Sequence, residues 1–127
     1  MKVGIKNQIK KTVVEELTAK VMGSGRLDVF ATPAMVAMME EAAHTSVEAE
    51  LEEGQGTVGT SMTVSHLAAT PVGMEVTCES ELVQVDGRKL VFEIKAMDEA
   101  GLIGEARHER FIIENEKFLA KTNAKLK

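Results

Sequence analysis

The spacing of hydrophobic residues changes once along this chain, from a helical period to an alternating one. In TPAMVAMMEEAAH and the residues that follow, apolar side chains recur every three or four positions and therefore share one face of a helix. Thr32 followed by Pro33 is typical of a helix start, because threonine can cap a free backbone N–H and proline at the first position loses no hydrogen bond. The pattern predicts one long helix from Thr32 to about Glu52, ended by Gly54.

After Gly54, polar and apolar residues alternate, which indicates strands that each have one buried face. In TVGTSMTVSHLA the alternation places Val58, Met62 and Val64 on the buried face, and His66 shares that face. The next run, MEVTCESELVQV, places Cys78 among apolar residues. We therefore expect Cys78 to be a small, unreactive core residue.

Tight turns join the predicted strands. Asp86-Gly87 between two alternating runs is a strong hairpin signal, and DEAG separates the next run from a last strand over about Leu102 to Glu114. A short strand-like run, Thr12 to Leu17, precedes the helix. Consecutive hairpins form an antiparallel sheet, and the long helix can bury its apolar face only by lying across that sheet. We predict a single α+β domain over residues 1–127.

The composition excludes several classes of function. A net charge of -5, four phenylalanines and no Trp or Tyr argue against a nucleic-acid surface, which needs a basic face and often stacking side chains. No apolar run approaches the roughly 20 residues that cross a bilayer, so we expect no membrane contact and a cytoplasmic protein. One cysteine and three scattered histidines give no metal-ligand spacing.

Two adjacent glutamates in the helix differ in their predicted surroundings. Glu40 falls in the apolar arc, with Val36, Ala43 and Val47 as its neighbours on the wheel, whereas Glu41 lies on the face that meets water. A carboxylate among apolar side chains is costly unless it is paired or hydrogen-bonded, and such carboxylates are often functional. Glu40 is therefore a candidate catalytic residue, with the alternative that it reaches solvent at the edge of the arc.

His66 and Thr32 are candidates for the same site. His66 points to the sheet face that the helix covers, where it serves either as a structural core histidine or as a base paired with Glu40. Thr32 places a hydroxyl at the helix start, although an ordinary capping role also explains it. Thr32 and Glu40 are eight residues apart, roughly 12 Å along a helix at about 1.5 Å per residue. Either His66 bridges them, or a second subunit supplies one of the groups.

Several motifs together resemble the hot-dog-fold thioesterases of the fluoroacetyl-CoA thioesterase group. They are ATPAM with a glutamate eight residues after its threonine, VGT, the strand end HLAATPVG, the hairpin VDGR and the triplet HER. The resemblance implies a hot-dog fold, in which an antiparallel sheet wraps one long central helix, and a homodimer with sites between subunits. It also implies hydrolysis of an acyl-CoA thioester without a cofactor, with CoA as part of the substrate. The family's catalytic residues fall on Thr32, Glu40 and His66, and its glycine near the thioester carbonyl falls on Gly59.

Some functional points stay open at this level. The family's phenylalanine-bearing lid is replaced here by VMGSGRLD, so we expect a small or short-chain acyl-CoA and no special preference for fluoroacetyl-CoA. The nucleophile is Thr32, Glu40 or a water molecule activated by a base, and the dimer either stands alone or pairs into a dimer of dimers. Alternative functions are a non-catalytic acyl-CoA or small-ligand binding module and an enzyme like enoyl-CoA hydratase.

CoA is strongly anionic, so an acidic protein needs local cations to bind it. The candidates are Arg110, assigned to substrate binding, and Arg88, Lys89, Lys117, Lys121 and Lys125. The last three recur every four residues in the tail and would form one stripe on a helix. A buried arginine paired with a glutamate is the alternative for Arg110.

Overall fold

Five antiparallel strands and one long helix across them form the protein in a computed structural model, which describes residues 1–126. The strands are β1 (Lys6–Thr12), β2 (Gln55–His66), β3 (Glu75–Asp86), β4 (Lys89–Asp98) and β5 (Gly101–Glu114). The helices are α1 (Ala19–Met22), α2 (Thr32–Ser46) and α3 (Asn115–Asn123), with 3₁₀ turns at Glu15–Leu17 and Glu48–Glu50. The strand order in the sheet is β1-β3-β4-β5-β2, which confirms the predicted α+β class.

Helix α2 packs its methionine-rich face onto the sheet, as its sequence predicts. Met35, Met39, Ala42 and Ala43 are buried, and they pack against the inward residues of β3 and β4, including Cys78. Burial raises the pKa of the Cys78 thiol to about 12, so this residue is confirmed as a core group without thiolate character. The hairpin between β3 and β4 turns at Gly87, whose φ of 61° is a conformation that glycine adopts readily.

Two predicted boundaries are wrong. Helix α2 ends at Ser46, because the Thr45 and Ser46 hydroxyls bond back to the carbonyls of Glu41 and Ala43 and the backbone leaves the α conformation at Val47. The first strand runs from Lys6 to Thr12 and not from Thr12 to Leu17. Its residues are mostly polar because β1 is an edge strand, so hydrophobic alternation gave little signal there.

A β-bulge at Thr60 divides β2 into two halves. The residues before the bulge face the opposite way from the predicted alternation. Gly59 pairs with Arg110, but Ser61 pairs with Glu109, so Thr60 is an extra residue in the strand. As a result Thr57 points to the helix side and bonds Arg110. Val58 and Met62 were predicted to share a face, but they lie on opposite faces. The bulge directly follows Gly59 and places Gly59 and His66 on the same face.

Candidate active site

The Thr32 hydroxyl does not cap helix α2. Ala31 is the cap residue and provides no side-chain bond, while Thr32 is the first residue of the helix. The Thr32 Oγ1 atom lies 2.7 Å from His66 Nδ1. Thr32 is exposed, so a hydroxyl that donates to an imidazole here is also accessible to a substrate. The predicted capping role is therefore wrong, and the fold brings Thr32 and His66 into contact.

The His66 imidazole is neutral and lies beside this hydroxyl. Burial lowers its pKa, and the backbone of Ala68 partly opposes this shift, so the imidazole is neutral at neutral pH. Its Nε2 atom is buried and has no hydrogen-bond partner among residues 1–126. If Nδ1 accepts the Thr32 hydroxyl hydrogen, the proton of the neutral ring resides on Nε2.

Glu40 differs from Glu41 in its partners and not in its exposure. The two side chains are 41% and 44% exposed, so Glu40 is less buried in the single chain than the wheel predicts. Glu41 pairs with Lys11 at 3.0 Å on the outside. Glu40 Oε2 lies 3.2 Å from Arg110 Nη1 and 3.9 Å from the ring of the buried His108.

Gly59 lies against the Glu40 carboxylate. A methyl group built on Gly59 would be 2.7 Å from Glu40 Oε2, 3.2 Å from His108 Cε1 and 3.3 Å from Arg110 Nη1. No side chain fits at this position without displacing the carboxylate, so Gly59 is a point of close approach between the backbone and Glu40.

Arg110 is a buried arginine with several partners. Its side chain is 8% exposed, and its Nε and Nη2 atoms donate to Thr57 Oγ1 at 2.8 Å and to the Thr57 carbonyl at 3.0 Å. Burial lowers the pKa of Arg110 and the Glu40 charge raises it. The location beside Glu40 and Gly59 agrees with a place in the site, but the burial excludes Arg110 from an open surface for phosphates.

One chain thus contains two separate groups of candidate residues. Thr32 and His66 form the first, which we call the nucleophile half-site, and Glu40, Gly59 and Arg110 form the second, the carboxylate half-site. Within residues 1–126 no hydrogen bond or ion pair joins Glu40 to Thr32 or to His66. His66 therefore does not bridge Thr32 and Glu40 in a single chain.

His108 was not among the residues predicted for the site. This side chain is 1% exposed and contacts Arg110 in the carboxylate half-site. Alternation along HER already places His108 and Arg110 on one face, and that was the available signal. His44 is 40% exposed and pairs with Glu48 at the surface.

Most of the other candidate cations lie at the surface. Lys89 pairs with Glu109 at 3.6 Å and Arg88 is exposed. The tail forms helix α3 with Lys117 and Lys121 exposed on it. In the described part of the chain no three His, Cys, Asp or Glu side chains cluster as metal ligands would, and no helix has the length and hydrophobicity to cross a membrane.

Comparisons with known proteins agree with this geometry. The family model described as fluoroacetyl-CoA-specific thioesterase matches residues 13–116. The fluoroacetyl-CoA thioesterase of Streptantibioticus cattleyicolor is 45% identical over 98 residues, which are 77% of this chain and 70% of that protein.

Solved structures extend the likeness to the whole chain. A mutant of the fluoroacetyl-CoA thioesterase in complex with acetyl-CoA is 36% identical and superposes with a TM-score of 0.95, covering 100% of both chains. A thioesterase superfamily member from Thermus thermophilus is 29% identical, with a TM-score of 0.88 over 95% of this chain and 90% of that one.

Proposed function

This chain belongs to the fluoroacetyl-CoA-specific thioesterase family, and from this premise we propose that it hydrolyses a small acyl-CoA to a free acid and CoA. The observation that carries the proposal is the 2.7 Å contact between Thr32 Oγ1 and His66 Nδ1. An exposed hydroxyl whose proton can pass to a neutral imidazole is the arrangement that nucleophilic acyl transfer requires.

We propose further that a homodimer assembles each complete site from two chains. Strand β2 is at the edge of the sheet, so its outer backbone groups can pair with the same strand of a second copy. If the twofold axis passes near Thr63, Met62 faces the partner subunit's Val64, and the bulge at Thr60 then brings Gly59 opposite the partner subunit's His66. The carboxylate half-site of one chain would thereby meet the nucleophile half-site of the other.

In the mechanism we propose, Thr32 Oγ attacks the thioester carbonyl while His66 Nδ1 takes its proton. The C–S bond breaks, the CoA thiolate leaves with the proton from His66, and the acyl group remains as an ester on Thr32. Water then attacks this ester with His66 again as the base, and the carboxylic acid leaves as Thr32 regains its hydrogen. The electrons and protons balance with water as the co-reactant.

The carboxylate half-site supplies charge and close approach to this reaction. The Gly59 N–H is the proposed donor to the developing oxyanion, an interaction worth about 3 to 4 kcal/mol in comparable enzymes. We propose that the Glu40 carboxylate, which pairs with Arg110, accepts a hydrogen bond from the attacking water while His66 takes the proton. The absence of a side chain at Gly59 lets the Glu40 carboxylate lie directly beside this backbone.

The substrate class follows from the segment in front of α2. Between Val13 and Ala31 the aromatic residue is Phe30, which is buried, while Val21, Met22 and Leu27 are exposed. A flexible aliphatic surface has no rigid aromatic shape to select one small acyl group over another. We therefore propose a short-chain acyl-CoA substrate, with the exposed lysines of α3 and Arg88 as candidate contacts for the CoA phosphates.

Release of free thiol from a panel of acyl-CoAs tests the proposal. Thiol release from acetyl-CoA or propionyl-CoA that disappears in His66→Ala supports a thioesterase. Binding without thiol release would overturn it in favour of a ligand-binding module, and interconversion of an enoyl-CoA without thiol would favour a hydratase. A cytoplasmic location, a single domain, the lack of a cofactor and a possible dimer of dimers stay predictions.

A further inference from the structure

His108 is a buried polar side chain that the proposed mechanism does not use. It lies on the inner face of β5 with 1% of its surface exposed, and its ring is 3.9 Å from the Glu40 carboxylate. Its neighbours are the Ser61 carbonyl of β2, Arg110 of β5, Glu40 of α2 and the Phe92 ring of β4, whose centroid is 6.2 Å away. These contacts determine which ring nitrogen of His108 carries a hydrogen.

The contacts of His108 define its tautomer. Nδ1 lies 2.8 Å from the Ser61 carbonyl oxygen, which can only accept, so Nδ1 carries a hydrogen. Nε2 lies 3.1 Å from Arg110 Nη1, which can only donate, so Nε2 presents its lone pair. His108 is therefore a neutral imidazole, and burial followed by the Arg110 charge lowers its pKa, while Ser61 and Glu40 oppose the shift.

The hydrogens of Arg110 also have specific partners. A guanidinium has five N–H hydrogens. Nε donates to Thr57 Oγ1, Nη2 donates to the Thr57 carbonyl, and Nη1 donates to both His108 Nε2 and Glu40 Oε2. The two bonds to Thr57 anchor one side of the guanidinium plane, His108 occupies one Nη1 hydrogen on the other side, and the second Nη1 hydrogen is directed at Glu40.

Resting on the thioesterase function proposed above, we propose that His108 is a positioning residue for that reaction. Its Nε2 lone pair fixes the guanidinium of Arg110, and Arg110 in turn holds the Glu40 carboxylate beside Gly59. Without the lone pair, the guanidinium is held by Thr57 and Glu40 alone and can pivot about the two Thr57 bonds, so the Glu40 oxygen is no longer restricted to one location. A reacting group misplaced by about 1 Å can lower a rate by about 100-fold.

Two amide variants separate the two hydrogen bonds of His108. In His108→Asn the side-chain N–H₂ lies near the former Nδ1 and keeps the bond to Ser61, but no acceptor reaches Arg110. In His108→Gln the side-chain oxygen lies near the former Nε2 and keeps the bond to Arg110. Both variants exchange a buried ring for an amide, so each is the stability control for the other.

We expect kcat with acetyl-CoA to fall about 10- to 100-fold in His108→Asn and by no more than a few-fold in His108→Gln, with KM changing less than kcat in both. A drop in kcat that is equal in the two variants, or that follows only their melting temperatures, would overturn the proposal. It would then be clear that His108 stabilises the fold and nothing more.

A readout without substrate separates this proposal from the proposed function. In ¹H–¹⁵N spectra the Arg110 Nη1–H signals are expected to be protected in wild type and in His108→Gln, and to exchange with solvent in His108→Asn. In wild type alone, long-range spectra of His108 should show a hydrogen on Nδ1 and none on Nε2. A cationic or Nε2-protonated His108 at neutral pH would overturn the proposal even if no variant folded. Failure of wild type to release thiol would instead reject the thioesterase function while these spectra still tested His108.

Discussion

Thr32 Oγ1 lies 2.7 Å from His66 Nδ1, and this contact takes the place of the helix cap that the sequence predicts for the threonine. A side chain that caps a helix contributes about 1 kcal/mol to stability, whereas this hydroxyl is directed at a base. Thr32 is therefore expected to matter for turnover and little for folding.

Replacement of Thr32 separates these two contributions. We expect Thr32→Ala to lower kcat for thiol release by about 10² to 10⁴-fold, because the nucleophile and its contact with His66 are both lost. Thr32→Ser keeps the hydroxyl and should retain much more activity. The melting temperatures of both variants should stay close to wild type. A large loss of stability in Thr32→Ala with little loss of kcat would contradict the assignment.

The adjacent glutamates provide a matched pair for the carboxylate half-site. Glu40→Gln removes the charge that Arg110 and His108 face, and we expect kcat to fall by about 10²-fold or more. Glu41→Gln removes an exposed pair with Lys11, and such pairs contribute at most about 1 kcal/mol, so activity should be unchanged. Thiol release by the two variants, measured at equal folded concentration, decides the matter. Equal activities would reject Glu40 as a functional residue.

Much of the fold and of the site was predictable because local rules determine it. The methionine face of α2, the Asp86-Gly87 hairpin and the core location of Cys78 follow from periodicity and turn chemistry alone. Glu40 and His66 were identified as polar groups directed at the interface between the helix and the sheet, and Thr32 as a hydroxyl at the helix start. Gly59 entered through the family resemblance, and its contact with Glu40 gives the physical reason for a glycine there.

The remaining features depend on contacts that sequence spacing does not contain. The bulge at Thr60 reverses the facing of Thr57 and Val58, and one extra residue in a strand leaves no mark on polar and apolar alternation. The partner of Glu40 depends on the register between β2 and β5, which brings Arg110 opposite Gly59. Because residue spacing does not contain this register, the sequence predicted His66 as the partner of Glu40. In the folded chain Glu40 lies beside His108.

Mixed dimers test whether two chains build one site. In a random mixture of Thr32→Ala and Glu40→Gln chains, half of the dimers are mixed, and each mixed dimer has one site with both native groups. Activity should therefore recover to about a quarter of wild type. A mixture of Thr32→Ala and His66→Ala is the control, because both changes lie in the nucleophile half-site and no intact site can form. Recovery in the control, or none in the test mixture when mixed dimers are verified, would show that the site is not shared as proposed.

The pH dependence of catalysis should follow the neutral form of His66. Burial lowers the pKa of His66 below its ordinary 6.5, so the base stays deprotonated at pH 6.5 and kcat/KM should decline only when the pH falls below that value. The midpoint of this acid limb should coincide with the His66 titration seen by NMR. His44→Gln removes an exposed histidine and should leave the limb in place.

The pKa of buried His108 is also lowered, so the unfolded chain binds more protons than the folded one below pH 6.5, and stability decreases in the same range. Circular dichroism at each pH therefore has to confirm that the protein is folded, and a limb with its midpoint at or above 6.5 in folded protein would exclude His66 as the base.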